Sequence, residues 1–324
     1  MEAGKVLIEI KNLSKHFPVE RSLWGNSGGS IKAVDDVTFE IFKEETFGLV
    51  GESGCGKTTM GRLLVRLIEA TGGGVKFEGV NIFKTPRAEM RTVRQRMQIV
   101  FQDPFSSLNP RMKVFDLIGE PLRAHRFCKG RQLEERVYEL LGFVGLDIYF
   151  KYRYPHELSG GQRQRVAIAR ALALYPKFVV CDEPVSALDV SIQAQIINLL
   201  QELQQKFGLT YLFISHDLRV VQHISSRVGV MYLGNLVEIA PKYVLYSEAR
   251  HPYTKALLSA VPIPDPTLRR KKMILGGEIP SPMNPPPGCR FRTRCSEAKE
   301  MCQQEQPGLI EIGKGHWVSC HLYV

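Results

Sequence analysis

Short apolar runs alternate with longer amphipathic stretches between Val6 and about Ala240, and this alternation predicts an α/β fold. Buried strands are predicted for TFGLV, KFVVCDEP and TYLFIS. Apolar residues at helical spacing predict helices over 60–70 and in SIQAQIINLLQELQQKFG. A hairpin with its turn at Gly234-Asn235 is predicted for RVGVMYLGNLVEIA. Strands that alternate with helices in this way indicate a sheet with a substantial parallel part.

Two segments depart from this alternation. Residues from about 103 to 173 carry mainly helical signals, which is typical of an inserted helical subdomain. After Ala240 a short helical piece leads to the Pro-rich linker GGEIPSPMNPPPG at 276–288, and a cysteine-rich tail follows. We therefore expect a sheet-containing domain at 1–240 and a small C-terminal extension at 241–324.

Composition narrows the class of protein. The chain has 324 residues, of which 44% are hydrophobic and 23% are charged, and this is ordinary for a soluble globular protein. No apolar run approaches the roughly 18 to 20 residues of a membrane span, and the N-terminus lacks the features of a secretory signal. We therefore expect the chain to stay in the cytosol unless a partner holds it at a membrane.

The net charge of +10 raises the expectation of nucleic acid, anionic lipid or polyphosphate partners. The longest basic run, at 269–272, has no interleaved aromatic residues, so it is weak evidence for nucleic acid. An ordinary basic surface is the simpler interpretation.

A phosphate-binding loop is predicted at GESGCGKTT, which directly follows an apolar strand and directly precedes a helix. Glycines let the loop curl so that its backbone N–H groups point at phosphate oxygens, and the helix adds the positive end of its dipole. Lys57 supplies a positive charge for the β- and γ-phosphates, and the Thr58 hydroxyl can ligate Mg²⁺. The residues expected to contact nucleotide are Gly51, Ser53, Gly54, Cys55, Gly56, Lys57, Thr58 and Thr59.

Two acidic residues, Asp182 and Glu183, end the apolar strand FVVCDEP. Adjacent side chains at a strand end point to opposite sides, so the two carboxylates can have different tasks. We expect Asp182 to hold Mg²⁺ through water, and Glu183 to act as the general base or to polarise the attacking water.

A second anion-binding helix start is predicted at LSGGQ, where Ser159, Gly160 and Gly161 precede a helix with open N–H groups. One nucleotide needs only one phosphate loop. A second such site is explained if two copies of the motif set meet head to tail and each lends this helix start to the other's nucleotide.

These stretches together resemble the nucleotide-binding subunit of ABC transporters, and the resemblance covers about 6–240. The phosphate loop matches the Walker A loop, and FVVCDE matches the Walker B strand. Residues 158–162, which include Gln162, match the signature sequence. The resemblance implies a P-loop ABC ATPase domain, with a mixed sheet and an inserted helical subdomain, that binds ATP and Mg²⁺.

Four further residues take their roles from this resemblance alone. Gln102, in VFQDP, matches the Q-loop glutamine that contacts Mg²⁺ and the attacking water, and Asp189 belongs to the D-loop. His216, in ISHD, matches the switch histidine that reaches the γ-phosphate. Phe17 falls where the family places an aromatic ring under adenine, although a core position explains it equally well. The implied mechanism sandwiches two ATP molecules between this chain and a second ABC ATPase subunit, identical or related.

The tail contains four cysteines, Cys289, Cys295, Cys302 and Cys320, separated by 5, 6 and 17 residues. No pair shows the tight spacing usual for zinc, so the pattern is compatible with a [4Fe–4S] cluster, a zinc site or no ligand. His316 and His321 flank the last cysteine and could replace a thiolate, but we expect both on the surface. The other three cysteines (Cys55, Cys128 and Cys181) are scattered, and we expect no chemistry from their thiols.

The segment after Ala240 is similar to the C-terminal extension of oligopeptide and dipeptide importer ATPases. The similarity lies in HPYTKALLSAVP, in the linker and in GCRFRTRC…C…GHWVSCHLY. This resemblance favours the [4Fe–4S] cluster over zinc. It also implies a peripheral subunit on the cytoplasmic membrane face, two membrane-spanning permease subunits, an extracytoplasmic peptide-binding protein and no direct nucleic acid partner. The alternatives are an importer ATPase for nickel or another small solute, a soluble ABC ATPase acting on ribosomes or nucleic acid, and a redox-sensing module.

Overall fold

A computed structural model describes residues 4–19, 29–261, 273 and 275–324, so the basic run at 269–272 lies outside the described residues. The strands are β1 (Val6–Pro18), β2 (Ser30–Phe42), β3 (Thr46–Val50), β4 (Gly72–Phe77), β5 (Val80–Asn81), β6 (Met97–Val100), β7 (Phe178–Asp182), β8 (Thr210–Ile214), β9 (Arg227–Tyr232), β10 (Asn235–Pro241), β11 (Ile310–Gly313) and β12 (His316–Val318). The α-helices are α1 (Lys57–Leu64), α2 (Arg87–Arg96), α3 (Pro104–Ser107), α4 (Val114–Ala124), α5 (Gly130–Phe143), α6 (Gly160–Leu172), α7 (Val190–Phe207), α8 (Leu218–Ile224), α9 (Lys242–Glu248), α10 (Pro252–Ser259) and α11 (Met301–Gln304). Short 3₁₀ helices cover Ile148–Tyr152, Pro155–Glu157 and Arg292–Arg294.

The described residues form two compact units, each built from separate stretches of chain. The first unit takes its described residues from 4–7, 42–46 and 84–214. The second unit takes its described residues from 8–19, 29–41, 47–83, 215–261, 273 and 275–324.

The first unit contains the parallel strands β6, β7 and β8, with β7 paired to both of the others. All residues of β7 and β8 are buried, as their continuous apolar runs predict. Helix α7 connects β7 to β8, which is the crossover that a parallel pair requires. Between β6 and β7 the structure contains only the helices α3 to α6 and two 3₁₀ helices, and these follow the helical signals at about 103–173.

The second unit contains a mixed sheet and a smaller antiparallel sheet. In the mixed sheet β3 pairs with β9 in parallel, β9 with β10 in antiparallel, and β12 with both β10 and β11 in antiparallel. The smaller sheet has the order β2-β1-β4-β5. The hairpin of β9 and β10 turns at Leu233 and Gly234, within a residue of the predicted position.

Helix α1 is shorter than predicted. It ends at Leu64, and Arg66 adopts a left-handed conformation with φ of 49°. The helical repeat of leucines after Met60 suggested a longer helix, but Leu67 lies outside it and is exposed. A local apolar pattern does not show where the backbone leaves the helical region.

Strands β11 and β12 were not anticipated from the sequence, because both are short and follow a Pro-rich segment. In β12, Val318 pairs with Glu238 and Trp317 pairs with Ile239 of β10. The C-terminal segment therefore extends the same sheet that contains β3, within the second unit.

Candidate functional site

The predicted phosphate loop runs from the buried strand β3 into α1, as its motif requires. Gly51 and Gly56 have backbone φ angles of 153° and 108°. Residues other than glycine rarely adopt these angles. A Cβ at Gly51 would lie 2.2 Å from the Met231 carbonyl oxygen, and one at Gly56 would lie 2.0 Å from that of Ala33. Both positions therefore need glycine for conformation and for space.

Lys57 is only 5% exposed, and its Nζ donates to the carbonyl oxygens of Gly51 at 2.8 Å and Glu52 at 2.9 Å. The loop itself thus holds the ammonium group in place. Thr58 and Thr59 follow in the first turn of α1 and are half-buried. The buried Cys55 lies 3.7 Å from Lys57 Nζ, and burial raises the pKa of its thiol, so we expect it to remain protonated.

His216 and Phe17 also belong to the second unit. Ser215 precedes His216, and its N–H donates to the Leu49 carbonyl oxygen of β3 at 3.2 Å. This bond places His216 beside the strand that leads into the phosphate loop. Phe17, near the end of β1, is 37% exposed, which removes the alternative of a core position and leaves its ring able to stack.

Gln102 and Glu183 come together in the first unit, although 81 positions separate them. Gln102 Nε2 donates to Glu183 Oε2 at 3.0 Å. Glu183 has φ of 45°, and its N–H donates to the Ile214 carbonyl oxygen at 3.0 Å. A left-handed non-glycine residue costs about 1 kcal/mol or more and is typical of active sites. Asp182, the preceding residue, ends β7 and is 2% exposed.

The signature sequence begins α6, with Ser159 as its N-cap. Ser159 Oγ accepts a hydrogen bond from the Gln162 N–H at 3.3 Å, and Gln162 Oε1 accepts from the Ser159 N–H at 2.9 Å. This capping box leaves the N–H groups of Gly160 and Gly161 without partners inside the helix, as an anion site requires. A Cβ at Gly161 would lie 2.6 Å from Ile192 Cγ2, so this glycine also permits α6 to pack closely on α7.

Asp189 of the predicted D-loop caps the next helix. Its carboxylate accepts hydrogen bonds from the Ile192 N–H at 2.9 Å and the Ser191 hydroxyl at 2.7 Å. The first of these bonds lowers the pKa of Asp189, so the residue is charged at neutral pH. A structural role as a helix cap is therefore present beside the role implied by the resemblance.

Each unit carries part of the predicted nucleotide site. The first unit holds Gln102, Ser159, Gly160, Gly161, Gln162, Asp182, Glu183 and Asp189. The second unit holds Phe17, the phosphate loop and His216. In the second unit the glycine loop and Lys57 suit phosphates, and in the first unit the amide and carboxylate oxygens of Gln102 and Asp182 suit a hard cation such as Mg²⁺.

Three residues around the phosphate loop were missed by sequence reasoning. Arg294 donates from Nη1 and Nη2 to the two carboxylate oxygens of Glu52, and the Tyr253 hydroxyl accepts from the Glu52 N–H. The carboxylate of Glu52 was the feature of the sequence that could have indicated these contacts. An acidic residue inside a loop for phosphates calls for a counter-charge, but the pattern does not show which arginine supplies it.

The four cysteines of the tail line one cavity in the second unit, together with His251, Phe291 and His321. All four thiols are free, and burial raises the pKa of Cys289 to about 11. Cys302 Sγ accepts a hydrogen bond from the Lys299 N–H at 3.4 Å. Burial thus favours the neutral thiol at Cys289, Cys295 and Cys320, and a bound metal would favour the thiolates.

Within the described ranges, no three or more His, Cys, Asp or Glu side chains are arranged to hold a metal ion. The donor set on the cavity is nevertheless suited to a soft metal, since it combines four thiols with the buried, unpartnered Nδ1 of His321. The residues therefore match such a group in chemistry, while their present arrangement gives a single ion no compact site.

The expectation that His316 and His321 lie on the surface is wrong, because each is only 6% exposed. His316 Nε2 lies 2.8 Å from Oε1 of the fully buried Glu238, and His321 Nε2 donates to the Glu305 carbonyl oxygen at 2.9 Å. Both rings have polar partners elsewhere in the chain. Because these partners satisfy the ring nitrogens that they contact, the rings can be buried.

Across the part of the chain that the structure describes, no helix is long and apolar enough to cross a membrane.

Comparisons with known proteins identify the class. Residues 34–186 match the family described as ABC transporter, and residues 237–302 match the family described as oligopeptide/dipeptide transporter, C-terminal region. The chain belongs to the ABC transporter family and is an ATPase with the C-terminal region of the oligopeptide/dipeptide transporters. This confirms both resemblances stated from the sequence, and with them the P-loop ABC ATPase fold.

Similar proteins cover the chain almost completely. The oligopeptide transport ATP-binding protein AppF of Bacillus subtilis is 52% identical, over 98% of each chain. The oligopeptide transport ATP-binding protein OppF of Salmonella typhimurium is 51% identical, over 99% of this chain and 97% of its own.

Solved structures resemble the larger part of the chain. A dimer of the ATP-binding cassette MJ0796 in a post-hydrolysis state, bound to ADP and Pi, has a TM-score of 0.65 and 28% identity, and it covers 73% of this chain and 99% of its own. The cbiO1 protein of Clostridium perfringens, part of the ABC transporter complex cbiONQ, has a TM-score of 0.63 and 25% identity, over 75% of this chain and 92% of its own.

Proposed function

We propose that this chain is the ATP-hydrolysing subunit of an importer for di- and oligopeptides. One observation carries the proposal: a complete set of nucleotide motifs is joined in one chain to the C-terminal region of the oligopeptide/dipeptide transporters. Relatives with about half of their residues identical along nearly the whole chain are named oligopeptide transport ATP-binding proteins. These similarities support peptide as the cargo over nickel or another small solute.

The chemistry follows from the residues in each unit. Lys57 and the loop N–H groups bind the phosphates, and Glu183 accepts a proton from the attacking water or polarises it. Gln102, hydrogen-bonded to Glu183, holds that carboxylate in position. Mg²⁺, held by Thr58, Gln102 and Asp182, would neutralise charge that develops on the phosphates. On the resemblance to the ABC transporter family, His216 would contact the γ-phosphate and Phe17 would stack on adenine.

Coupling to transport requires a second ABC ATPase subunit, identical or related. The helix start at Ser159, Gly160, Gly161 and Gln162, with Asp189, would complete the partner's nucleotide site. Nucleotide would then favour a closed dimer and hydrolysis would release it, which is a ligand-driven population shift. The dimer of the similar cassette MJ0796, bound to ADP and Pi, supports this arrangement.

We place the subunit on the cytoplasmic face of the cell membrane, with two membrane-spanning permease subunits as direct partners. An extracytoplasmic peptide-binding protein would deliver the cargo, and we expect no direct contact with nucleic acid. Residues 1–240 would form the nucleotide-binding domain, with its helical subdomain at about 103–173, and 241–324 the importer-type extension.

We also propose that Cys289, Cys295, Cys302 and Cys320 hold a [4Fe–4S] cluster. The shared cavity and the four free thiols support it. Zinc is the alternative, and it is less favoured because the four cysteines lack the tightly spaced pairs that are usual for zinc. Such a cluster would supply a rigid cross-link between segments of the tail or a redox response.

The cargo is tested by purifying the complex from membranes with an affinity tag on this chain. Co-purified membrane-spanning subunits and ATP hydrolysis stimulated by peptide with its binding protein are expected. Recovery of ribosomes or DNA without membrane subunits would replace the importer with a soluble ABC ATPase. Stimulation by nickel and not by peptide would correct the cargo.

The cluster is tested on protein purified without oxygen, by visible absorption with iron, sulfide and zinc assays. Broad absorption near 400 nm with about four irons per chain is the expected result. A colourless protein with one zinc, or with neither metal, would remove the cluster.

A further inference from the structure

Glu52 lies inside the phosphate loop and forms a two-pronged ion pair with Arg294. Arg294 Nη1 lies 2.8 Å from Glu52 Oε2, and Nη2 lies 3.0 Å from Oε1. The Arg294 side chain is 7% exposed and the Glu52 side chain 23%, so water screens this pair less than a surface pair. The pair joins the phosphate loop to the segment that carries the tail cysteines, because Arg294 directly precedes Cys295.

A second contact holds the same residue from the backbone side. The Glu52 N–H donates to the Tyr253 hydroxyl at 3.0 Å. The Tyr253 ring lies 4.7 Å from the Tyr232 ring and 5.3 Å from the Phe291 ring, measured between centroids. Burial within this aromatic cluster fixes the hydroxyl, so the backbone at Glu52 is supported from residues far beyond the motif.

Glu52 in turn holds the phosphate-binding lysine. Its carbonyl oxygen and that of Gly51 accept the two hydrogen bonds from Lys57 Nζ. A displacement of Glu52 would therefore move the ammonium group that binds the phosphates. Preorganised contacts of this kind improve affinity by reducing the ordering that binding must supply.

We propose that Arg294 is a positioning residue for ATP: through Glu52 it fixes the phosphate loop, and so makes ATP affinity depend on the cysteine-bearing segment of the tail. The inference rests on ATP binding by this family and not on the identity of any metal or cargo.

The substitution Glu52→Gln separates this positioning role from two simpler roles of Arg294. If Arg294 only compensates charge near the phosphates, Glu52→Gln removes a negative charge and strengthens ATP binding. If Arg294 contacts the nucleotide directly, Glu52→Gln leaves affinity unchanged or improves it. If the pair positions the loop, Glu52→Gln and Arg294→Gln both weaken binding.

The experiment measures affinity for Mg-ATP by competition against a fluorescent ATP analogue, on the full chain, together with kcat and KM. Arg294→Gln and Glu52→Gln should each weaken affinity about threefold to tenfold, because part of a half-buried charged hydrogen-bond pair is lost. KM should rise by the same factor while kcat changes less than twofold, since the loop binds ground state and transition state alike.

The matched control is Arg292→Gln. Arg292 lies in the same 3₁₀ helix, and its Nε donates to the Pro287 carbonyl oxygen at 2.8 Å. This variant should bind ATP within twofold of the parent. The exchange Glu52→Arg with Arg294→Glu keeps net charge and should recover part of the affinity, and thermal melting of every variant reports folding separately.

Tighter binding in Glu52→Gln overturns the proposal, as does unchanged affinity in both single variants when they remain folded. A lowered melting temperature with normal ATP affinity well below that temperature assigns the pair a purely structural role and also overturns it. Failure of peptide stimulation in the complex would remove the cargo and leave this result standing.

Discussion

His251 is a buried histidine whose titration should be measurable as a loss of stability in mild acid. It is 1% exposed, and burial lowers the pKa of its imidazole from 6.5 to about 4. Its Nδ1 accepts a hydrogen bond from the Tyr253 N–H at 3.0 Å, which the protonated ring could not do. Glu238 opposes this lowering and Lys255 adds to it, but burial dominates. The folded chain therefore holds a neutral ring where the unfolded chain is protonated.

The sign and size of the stability change follow from the linkage between protonation and folding. Between about pH 4 and 6.5 the unfolded chain binds more protons at this residue, so stability falls as the pH falls through that window. The neutral His251 ring makes its full contribution to the free energy of unfolding above about pH 6.5. Relative to pH 7.5, the loss should be about 2 kcal/mol at pH 5 and about 3 kcal/mol once the folded state is protonated as well.

Urea unfolding between pH 7.5 and pH 5 measures this loss, with Trp317 of β12 as the fluorescent reporter. The chain has two tryptophans, so a Trp24→Phe background isolates that signal. The control is His251→Asn, whose side-chain oxygen can still accept from the Tyr253 N–H. Titrations elsewhere are common to both proteins and cancel in the difference between their pH profiles. The parent should lose about 2 kcal/mol more than the variant by pH 5. Parallel profiles, or a parent that gains stability in acid, would refute the reasoning.

Three further outcomes concern the nucleotide site. Glu183→Gln should keep ATP binding and slow hydrolysis by about 10² to 10⁴, which is the range for lost general-base catalysis. The variant should also trap a nucleotide-bound dimer. Unchanged turnover in a phosphate-release assay would exclude this role of Glu183. Lys57→Ala should weaken ATP binding at least tenfold, because the ammonium charge held by the loop is lost, and titration calorimetry that finds normal affinity would contradict it. Gly161→Ala should destabilise the fold by about 1 to 3 kcal/mol, because its methyl group meets Ile192 Cγ2. Adding Ile192→Ala should restore stability in thermal melts, whereas no recovery would locate the cost elsewhere.

The nucleotide motifs were predictable because their chemistry is local. The phosphate loop needs its glycines, Lys57 and Thr58 within a few positions, and a strand before it and a helix after it complete the pattern. Glu183 was identified from the acidic end of its apolar strand, whereas Gln102 was identified only from the family resemblance of VFQDP. The hydrogen bond between them is a property of the parallel pair β6 and β7, which brings 97–100 beside 178–181.

The misses at buried polar side chains share a physical cause, which is hydrogen bonding between residues that are far apart in the chain. Glu238 carries a buried carboxylate that accepts hydrogen bonds from the N–H groups of Arg250 and His251, and His316 Nε2 lies within hydrogen-bond distance of it. No local pattern shows that His316, 78 positions further on, lies beside this carboxylate. Burial of a polar side chain depends on its partner, so a histidine expected at the surface proved to be inside.

The tail illustrates how a sequence signature and a structural role can differ. From sequence, HPYTKALL and the cysteine spacing served to indicate the kind of transporter, and the segment was expected as a separate extension. In the second unit the C-terminal segment contacts both the predicted phosphate loop and the strand β10. β12 pairs with β10, Tyr253 holds the backbone of Glu52, and Arg294 holds its carboxylate. A region that supports the phosphate loop cannot vary independently of ATP binding. On the proposed positioning role of Arg294, damage to the segment that carries Cys295 should reduce ATP affinity, because the support of Glu52 in the phosphate loop is then lost.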